Sequence, residues 1–352
     1  MTDAATVPPA EAQALLRAIP VTRMIDIGMD VGSALRLTEA VITGGALDVL
    51  AEREADRLLD AVETLDVTVR RPVRRAALGA LIVAQLAFND DSARKRELYE
   101  RIGTQLGLLE SENPDRYRNV SIGFGTASLS GFLVTPDGVE RPHAVILFGG
   151  LNGWGAAYLD AAESLASAGL ATLLVELPGQ GTARMIAGLS GGPSSVEAIS
   201  ACIDWIEREP ALGDRAGVWG NSYGALLAAV AAATDSRVAA ACLNGAPARP
   251  TVPPFRTLQE LMFTFFGTDS VDDLAPILAS INFAERELTI DCPLLVLQGG
   301  ADPTVSADDQ RPFFDAASGE RLWQEWPDGQ HTMYNHSTER NALVTGWFLK
   351  QL

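Results

Sequence analysis

The sequence predicts an α/β protein: a mostly parallel, doubly wound sheet preceded by a helical N-terminal domain. Three observations carry this. Residues 9 to about 112 hold helical periodicity with no sustained alternation. From 142 onward, short apolar runs alternate with helical patterns, which is how strands buried on both faces read when crossover helices cover them. Between the two lies "SENPDRYRN" (111–119), a polar stretch with a proline. The expected division is therefore a helical domain over 1–115 and an α/β domain over 116–352.

In the N-terminal part, Leu47, Leu50, Leu58, Val62 and Leu65 keep helical spacing. "VRRAALGALIVAQLAF" and "SARKRELYERIGTQLGLL" predict two further helices. After the boundary the period changes to two in "VSIGFGTASLSGFLVTPDG", a hairpin expected to close at Pro136-Asp137-Gly138. Strands then follow in "HAVILFGG", "ATLLVEL", "AGVWG", "VAAACLNG", "PLLVLQGG" and "RLWQEWP". Helices are expected over 155–169, 194–209, 223–234, 306–317 and 338–351, with a partly helical insertion near 249–286. In such sheets, chemistry collects at the carboxyl ends of the strands.

Composition narrows the class of partner. Lys and Arg number 27 against 45 Asp and Glu, a net charge of −18. No basic block is present to track phosphates or anionic lipid, which argues against nucleic acid and membrane partners. The N-terminal stretch lacks the basic-then-apolar order of a secretory signal, and the strongly apolar run 76–88 is too short to cross a bilayer. A cytoplasmic location is the expectation. Cys202, Cys242 and Cys292 are scattered in apolar segments and read as small buried hydrophobes, neither a disulfide framework nor a metal site.

The chemistry concentrates in "GVWGNSYGALLAAVAAA" (217–233). Gly220-Asn221-Ser222-Tyr223-Gly224 matches G-x-S-x-G, with a strand before it and a helix after it, the context in which the serine sits on a strained turn. A serine hydroxyl is a poor nucleophile at neutral pH, so it needs a base oriented by a third group. The chain has three histidines, His143, His331 and His336. His143 stands at the amino end of a strand, the wrong end of the sheet, and His336 reads as a helix-start residue. His331, in the loop after the last strand, is the candidate base. Asp302, in "LLVLQGGADPTVS", ends the penultimate strand and is the candidate acid; Asp308 and Asp309 fall in the first turn of the next helix, where they suit the helix dipole. An oxyanion hole needs one N–H from the residue after the nucleophile, Tyr223, and a second from an earlier strand's loop. "LFGGLNGWG" (147–155) supplies that loop, with Gly150 or Leu151 as donor.

With these parts in hand, the chain resembles the α/β-hydrolase superfamily. Its likeness is to the branch with a helical N-terminal domain that includes 2,6-dihydroxypseudooxynicotine hydrolase and the fungal polyketide-shortening hydrolases. The resemblance rests on "RMIDIGMD" (23–30), Gly149-Gly150-Leu151, "ELPGQG" (176–181), "GNSYGA", "GGADPTV" and "GQHTMYN". It implies an α/β-hydrolase fold, a triad of Ser222, Asp302 and His331, and substrate bound under the N-terminal helices. Branch members that cleave carbon–carbon bonds tend to carry an acidic residue directly after the Gly-Gly-Leu step; here Asn152 holds that substrate-side position.

The sequence thus predicts a serine hydrolase cleaving an acyl bond, an ester or a β-keto C–C bond, of a small and largely apolar metabolite. It needs no cofactor and no metal. Two other readings stand beside it: a lyase that eliminates an acyl or acetate group in specialised metabolism, and a non-catalytic ligand-binding protein on the same fold. A small molecule is the expected partner, with a homodimer as the assembly to test.

Overall fold

The computed structural model describes residues 8–254 and 256–352. The chain divides between Pro114 and Asp115 into two compact units.

The first unit is helical: Pro9–Ala18, Val21–Asp26, Val31–Ile42, Leu47–Glu63, Arg70–Gln85 and Ala93–Glu112. Local chemistry sets several starts. Asp30 accepts from the Ser33 N–H and Ser92 from the Lys95 N–H, each satisfying a donor left free at a helix N-terminus. In Leu47–Glu63 the buried residues are Leu47, Ala51, Ala55, Leu58 and Val62, an i, i+4 stripe. Arg70–Gln85 starts earlier than its apolar run suggests. It takes in the charged "RRPVRR", with Pro72 in the first turn where no N–H is needed. Buried Arg74 in this helix donates to both carboxylate oxygens of Glu112, at 2.8 and 2.5 Å, and to Gln105 Oε1 at 2.7 Å. Those three bonds satisfy a charge that would otherwise be costly to bury.

The second unit is built on eight strands: β1 (Tyr117–Phe124), β2 (Ala127–Val134), β3 (Ala144–Phe148), β4 (Ala171–Val175), β5 (Ala216–Asn221), β6 (Val238–Asn244), β7 (Leu294–Gly299) and β8 (Arg321–Trp326). They form one sheet in the order β1-β2-β4-β3-β5-β6-β7-β8. β1 and β2 pair antiparallel, as do β2 and β4; every later pairing is parallel. Every residue of β3, β4, β5 and β7 is buried, as continuous apolar strands covered on both faces must be.

The hairpin turn differs from expectation. β1 and β2 are joined at Gly125-Thr126, with Gly125 at φ 56°, and Pro136-Asp137-Gly138 lies beyond β2 on the way to β3. A two-residue hairpin favours a glycine that can take positive φ at its first position, which Gly125 supplies. The insertion holds helices Arg256–Phe266 and Val271–Ser280 and a short 3-10 turn at Phe283–Glu285. Cys202 and Cys242 are buried and Cys292 is half-buried. Among the described residues, no helix is long and apolar enough to cross a membrane.

Candidate active site

β5 ends at Asn221 and the helix Tyr223–Thr234 begins two residues later, leaving Ser222 alone in the turn at φ 53°, ψ −135°. That is a strained conformation for a residue with a side chain, costing on the order of 1–3 kcal/mol. Neighbouring backbone makes the turn tight. A Cβ on Gly220 would lie 2.3 Å from the Gly224 carbonyl oxygen, and one on Gly224 2.3 Å from that of Gly149. The Ser222 N–H donates to the Asn244 carbonyl at 2.7 Å, tying the elbow to the end of β6.

The loops after β7 and β8 bring the other two groups. His331 Nε2 lies 2.8 Å from Ser222 Oγ, and His331 Nδ1 lies 2.7 Å from Asp302 Oδ2. A carboxylate can only accept here, so Nδ1 carries the proton and Nε2 is left to accept from the serine hydroxyl. The Asp302 side chain is 1% exposed and that of His331 26%. Burial pushes the Asp302 carboxyl up, but hydrogen bonds and the charge of His331, with Thr304, outweigh it and hold the group below its ordinary value.

Thr304 is a member of the site that its residue type did not announce. Asp302 Oδ1 accepts from the Thr304 N–H at 2.8 Å, the Thr304 hydroxyl at 2.7 Å and the Val305 N–H at 3.1 Å. The same hydroxyl lies 2.9 Å from His331 Nδ1. One oxygen of the acid is thereby fixed while the other faces the imidazole. An Asp-x-Thr turn, in which the acid accepts from the residue two positions on, is the local signal that points to it.

Gly150 lies against the serine: a Cβ built on it would be 2.8 Å from Ser222 Cβ, 3.0 Å from Ser222 Oγ and 3.0 Å from the Tyr223 nitrogen. Buried Gln180, from "ELPGQG", holds this loop. Its Nε2 donates to the carbonyls of Gly149 and Gly150 at 2.6 and 2.9 Å, and its Oε1 accepts from Leu177 N–H at 2.9 Å. In a trans peptide the C=O and N–H point in opposite directions, so anchoring these carbonyls turns the N–H groups of Gly150 and Leu151 away from Gln180. Among the described residues, the N–H groups of Gly150, Leu151 and Tyr223 find no acceptor. Leu151 is half-buried and packs on the core, whereas Asn152 is half-buried with no hydrogen bond among the described residues. Near the same loop, burial pushes the Glu176 carboxyl up, opposed by Thr182, whose hydroxyl and N–H donate to it at 2.6 and 2.7 Å.

The remaining candidates fall where their chemistry is ordinary. His143 precedes β3 at the amino end of the strands, opposite the end that carries Ser222, and lies 4.0 Å from Asp214. His336 Nε2 bonds Asp328 at 2.9 Å and its ring stacks on Trp326. Asp309 completes a capping box with Ser306, and Asp308 sits in the same first turn. Among the described residues, no group of three or more His, Cys, Asp or Glu could hold a metal ion.

Known proteins resemble the chain chiefly in fold. A family profile described as "alpha/beta hydrolase fold" matches residues 143–279. That span covers Gly150 and Ser222 but stops short of Asp302 and His331. No curated protein matches the sequence. Among solved structures, 2,6-dihydroxy-pseudo-oxynicotine hydrolase is similar with a TM-score of 0.79 at 18% identity, covering 94% of this chain and 95% of that one. AbyA5 is similar with a TM-score of 0.68 at 16% identity, over 97% and 99% of the two chains. An esterase of Pyrobaculum calidifontis reaches a TM-score of 0.54 at 18% identity, over 71% of this chain and 90% of that one. The last covers much less of this chain than the other two. Sheet order, elbow and matched profile together make this chain an α/β-hydrolase-fold protein with a helical N-terminal region.

Proposed function

We propose that the protein is a serine hydrolase that cleaves an acyl bond of a small, largely apolar metabolite. Ser222 attacks a carbonyl as His331 takes its proton, and Asp302 holds the imidazole and stabilises its charged form. The oxyanion that forms is bound by the Tyr223 N–H and that of Gly150 or Leu151. His331 then protonates the leaving group, and a water activated by the same imidazole releases the acyl group from Ser222. One observation carries the reading: an unbroken hydrogen-bonded chain from Ser222 Oγ through His331 to Asp302, with steps of 2.8 and 2.7 Å. Hydrolase and esterase are also the names borne by proteins that share the fold.

Asn152 bears on which bond is cut. An amide donates and accepts hydrogen bonds but does not ionise, so Asn152 itself shuttles no proton. That suits an ester more than a β-keto C–C bond, and it keeps elimination of an acyl group, a lyase reaction, as the second reading.

The test is a fluorophosphonate probe on the intact protein. Phosphonylation should map to Ser222 by mass spectrometry, and Ser222→Ala should lower turnover of a p-nitrophenyl ester by several orders of magnitude. A folded protein that resists the probe and turns over no ester would overturn the serine-hydrolase reading.

A further inference from the structure

The strand order brings three chemically important segments side by side. Phe148, which leads into the Gly149-Gly150 loop, pairs with Gly220 across β3 and β5; Asn221 pairs with Asn244 across β5 and β6. Both asparagines are buried, at 1% and 0% exposure. Asn244 Nδ2 donates to Asn221 Oδ1 at 2.7 Å and to the Thr332 carbonyl at 3.1 Å. Asn221 Nδ2 in turn donates to the Phe148 carbonyl at 3.3 Å. The orientation of the Asn244 amide is forced, because its flip would set an oxygen against two oxygens. The Asn244 main-chain carbonyl meanwhile accepts from the Ser222 N–H at 2.7 Å.

We propose that Asn221 and Asn244 form an amide relay that locks the Gly149-Gly150 loop, the serine elbow and the histidine turn in register, with Asn244 the positioning residue for His331. The proposal rests on the serine-hydrolase reading above. Two features set the relay apart from ordinary core filling. The turn it holds is strained: Thr332 and Met333, directly after His331, take φ 58° and 54°, a region where side chains are disfavoured. Such a turn persists only when its surroundings over-determine it, and the Thr332 carbonyl is gripped twice, by Asn244 and by Arg340 Nη1 at 2.9 Å. Asn244 Oδ1, moreover, is buried without a partner among the described residues, a destabilising feature that a pair of apolar side chains would avoid. The amides thus reach the Phe148 and Thr332 carbonyls, which a pair of apolar side chains could not hold.

The experiment is saturable fluorophosphonate inactivation of the full-length protein, which separates probe binding (KI) from attack by the serine (kinact). Misplacing a base by a fraction of an ångström slows attack without altering the pocket wall. Asn244→Ala should lower kinact by about tenfold or more, with KI unchanged within about twofold. Asn221→Ala should lower kinact by about threefold to tenfold, and the double variant should lose less than the product of the two single losses, as members of one network do. A purely structural role would lower Tm and leave kinact alone. The relay is wrong if folded Asn244→Ala attacks within twofold of the wild-type rate, if the loss falls on KI, or if the single losses multiply. Should Asn244→Ala fail to fold, Asn244→Ser and Asn221→Ala carry the same comparison. Failure of the wild type itself to label Ser222 sinks the catalytic reading and the relay with it; normal wild-type labelling with unaffected variants sinks the relay alone.

Discussion

Gly150→Ala should disable catalysis while leaving the His331–Asp302 pair assembled. The added methyl would lie 3.0 Å from the Tyr223 nitrogen and 3.0 Å from Ser222 Oγ. An oxyanion held by the Tyr223 N–H must sit about 2.7–3.1 Å from that same nitrogen, so the methyl and the oxyanion claim one position. Loss of one oxyanion donor costs about 3–4 kcal/mol of transition-state stabilisation, or about 10²–10³ in kcat. The methyl would also lie 2.8 Å from Ser222 Cβ, an overpacking that costs roughly 1–3 kcal/mol of stability. That is smaller than the ~5–15 kcal/mol that holds a typical domain together, so the variant should fold. Gly150 does not take a positive φ, so backbone strain does not confuse the result. The assay is kcat on a p-nitrophenyl ester alongside Tm, with the downfield proton signal of the His331–Asp302 hydrogen bond as evidence that this pair survives. A folded variant with kcat within threefold of wild type would show that the oxyanion is bound elsewhere.

Three further outcomes follow from the same geometry. His331→Ala should be as damaging to kcat as loss of Ser222, whereas His336→Ala, which removes a bond to Asp328 and a stack on Trp326, should change Tm more than kcat; the reverse ranking would mean the base is misassigned. Asn152→Ala should cost about one hydrogen bond in the transition state, roughly 1 kcal/mol or up to about tenfold in kcat/KM, and Asn152→Asp should be worse because a carboxylate repels the developing oxyanion; equal rates for all three would remove Asn152 from the reaction. The Asp302 carboxyl titrates below its ordinary value in the folded state, so its stabilising contribution is present above pH ~4 and is lost as pH falls through the lower folded value. The Tm difference between wild type and Asp302→Asn should accordingly shrink in acid, and a difference that is flat with pH would contradict the assignment.

What is legible in the sequence is whatever a local pattern encodes. Ser222 stands out because a buried strand, two close-packed glycines and an apolar helix all fall within a few residues. Asp302 and His331 follow from chain order once the strands are counted. The hairpin turn is harder: Gly125-Thr126 and Pro136-Asp137-Gly138 are both turn signals, and only the strand pairing chooses between them. The start of Arg70–Gln85 is hidden because its first turn is charged and carries a proline. Gln180 and Asn244 are hidden for a different reason. Their partners, Gly149 and Thr332, are 31 and 88 residues away, and the strand order that unites them is not written in either neighbourhood. Thr304 lies between, since its bond to Asp302 is local but its approach to His331 is not.

The paired left-handed residues after His331 also bear on how the protein would fail. Each costs on the order of 1–3 kcal/mol, and Met333 is fully buried, so the turn is kept by what surrounds it rather than by its own preference. A segment held in this way depends on its two grips, so losing the Asn244 or Arg340 bond to the Thr332 carbonyl would release the turn and its stored strain. The sheet beneath, with its continuous buried strands, has no comparable reason to let go. Loss of the site and loss of the fold would then be separate events, the imidazole drifting from the serine while the rest of the α/β unit is still intact.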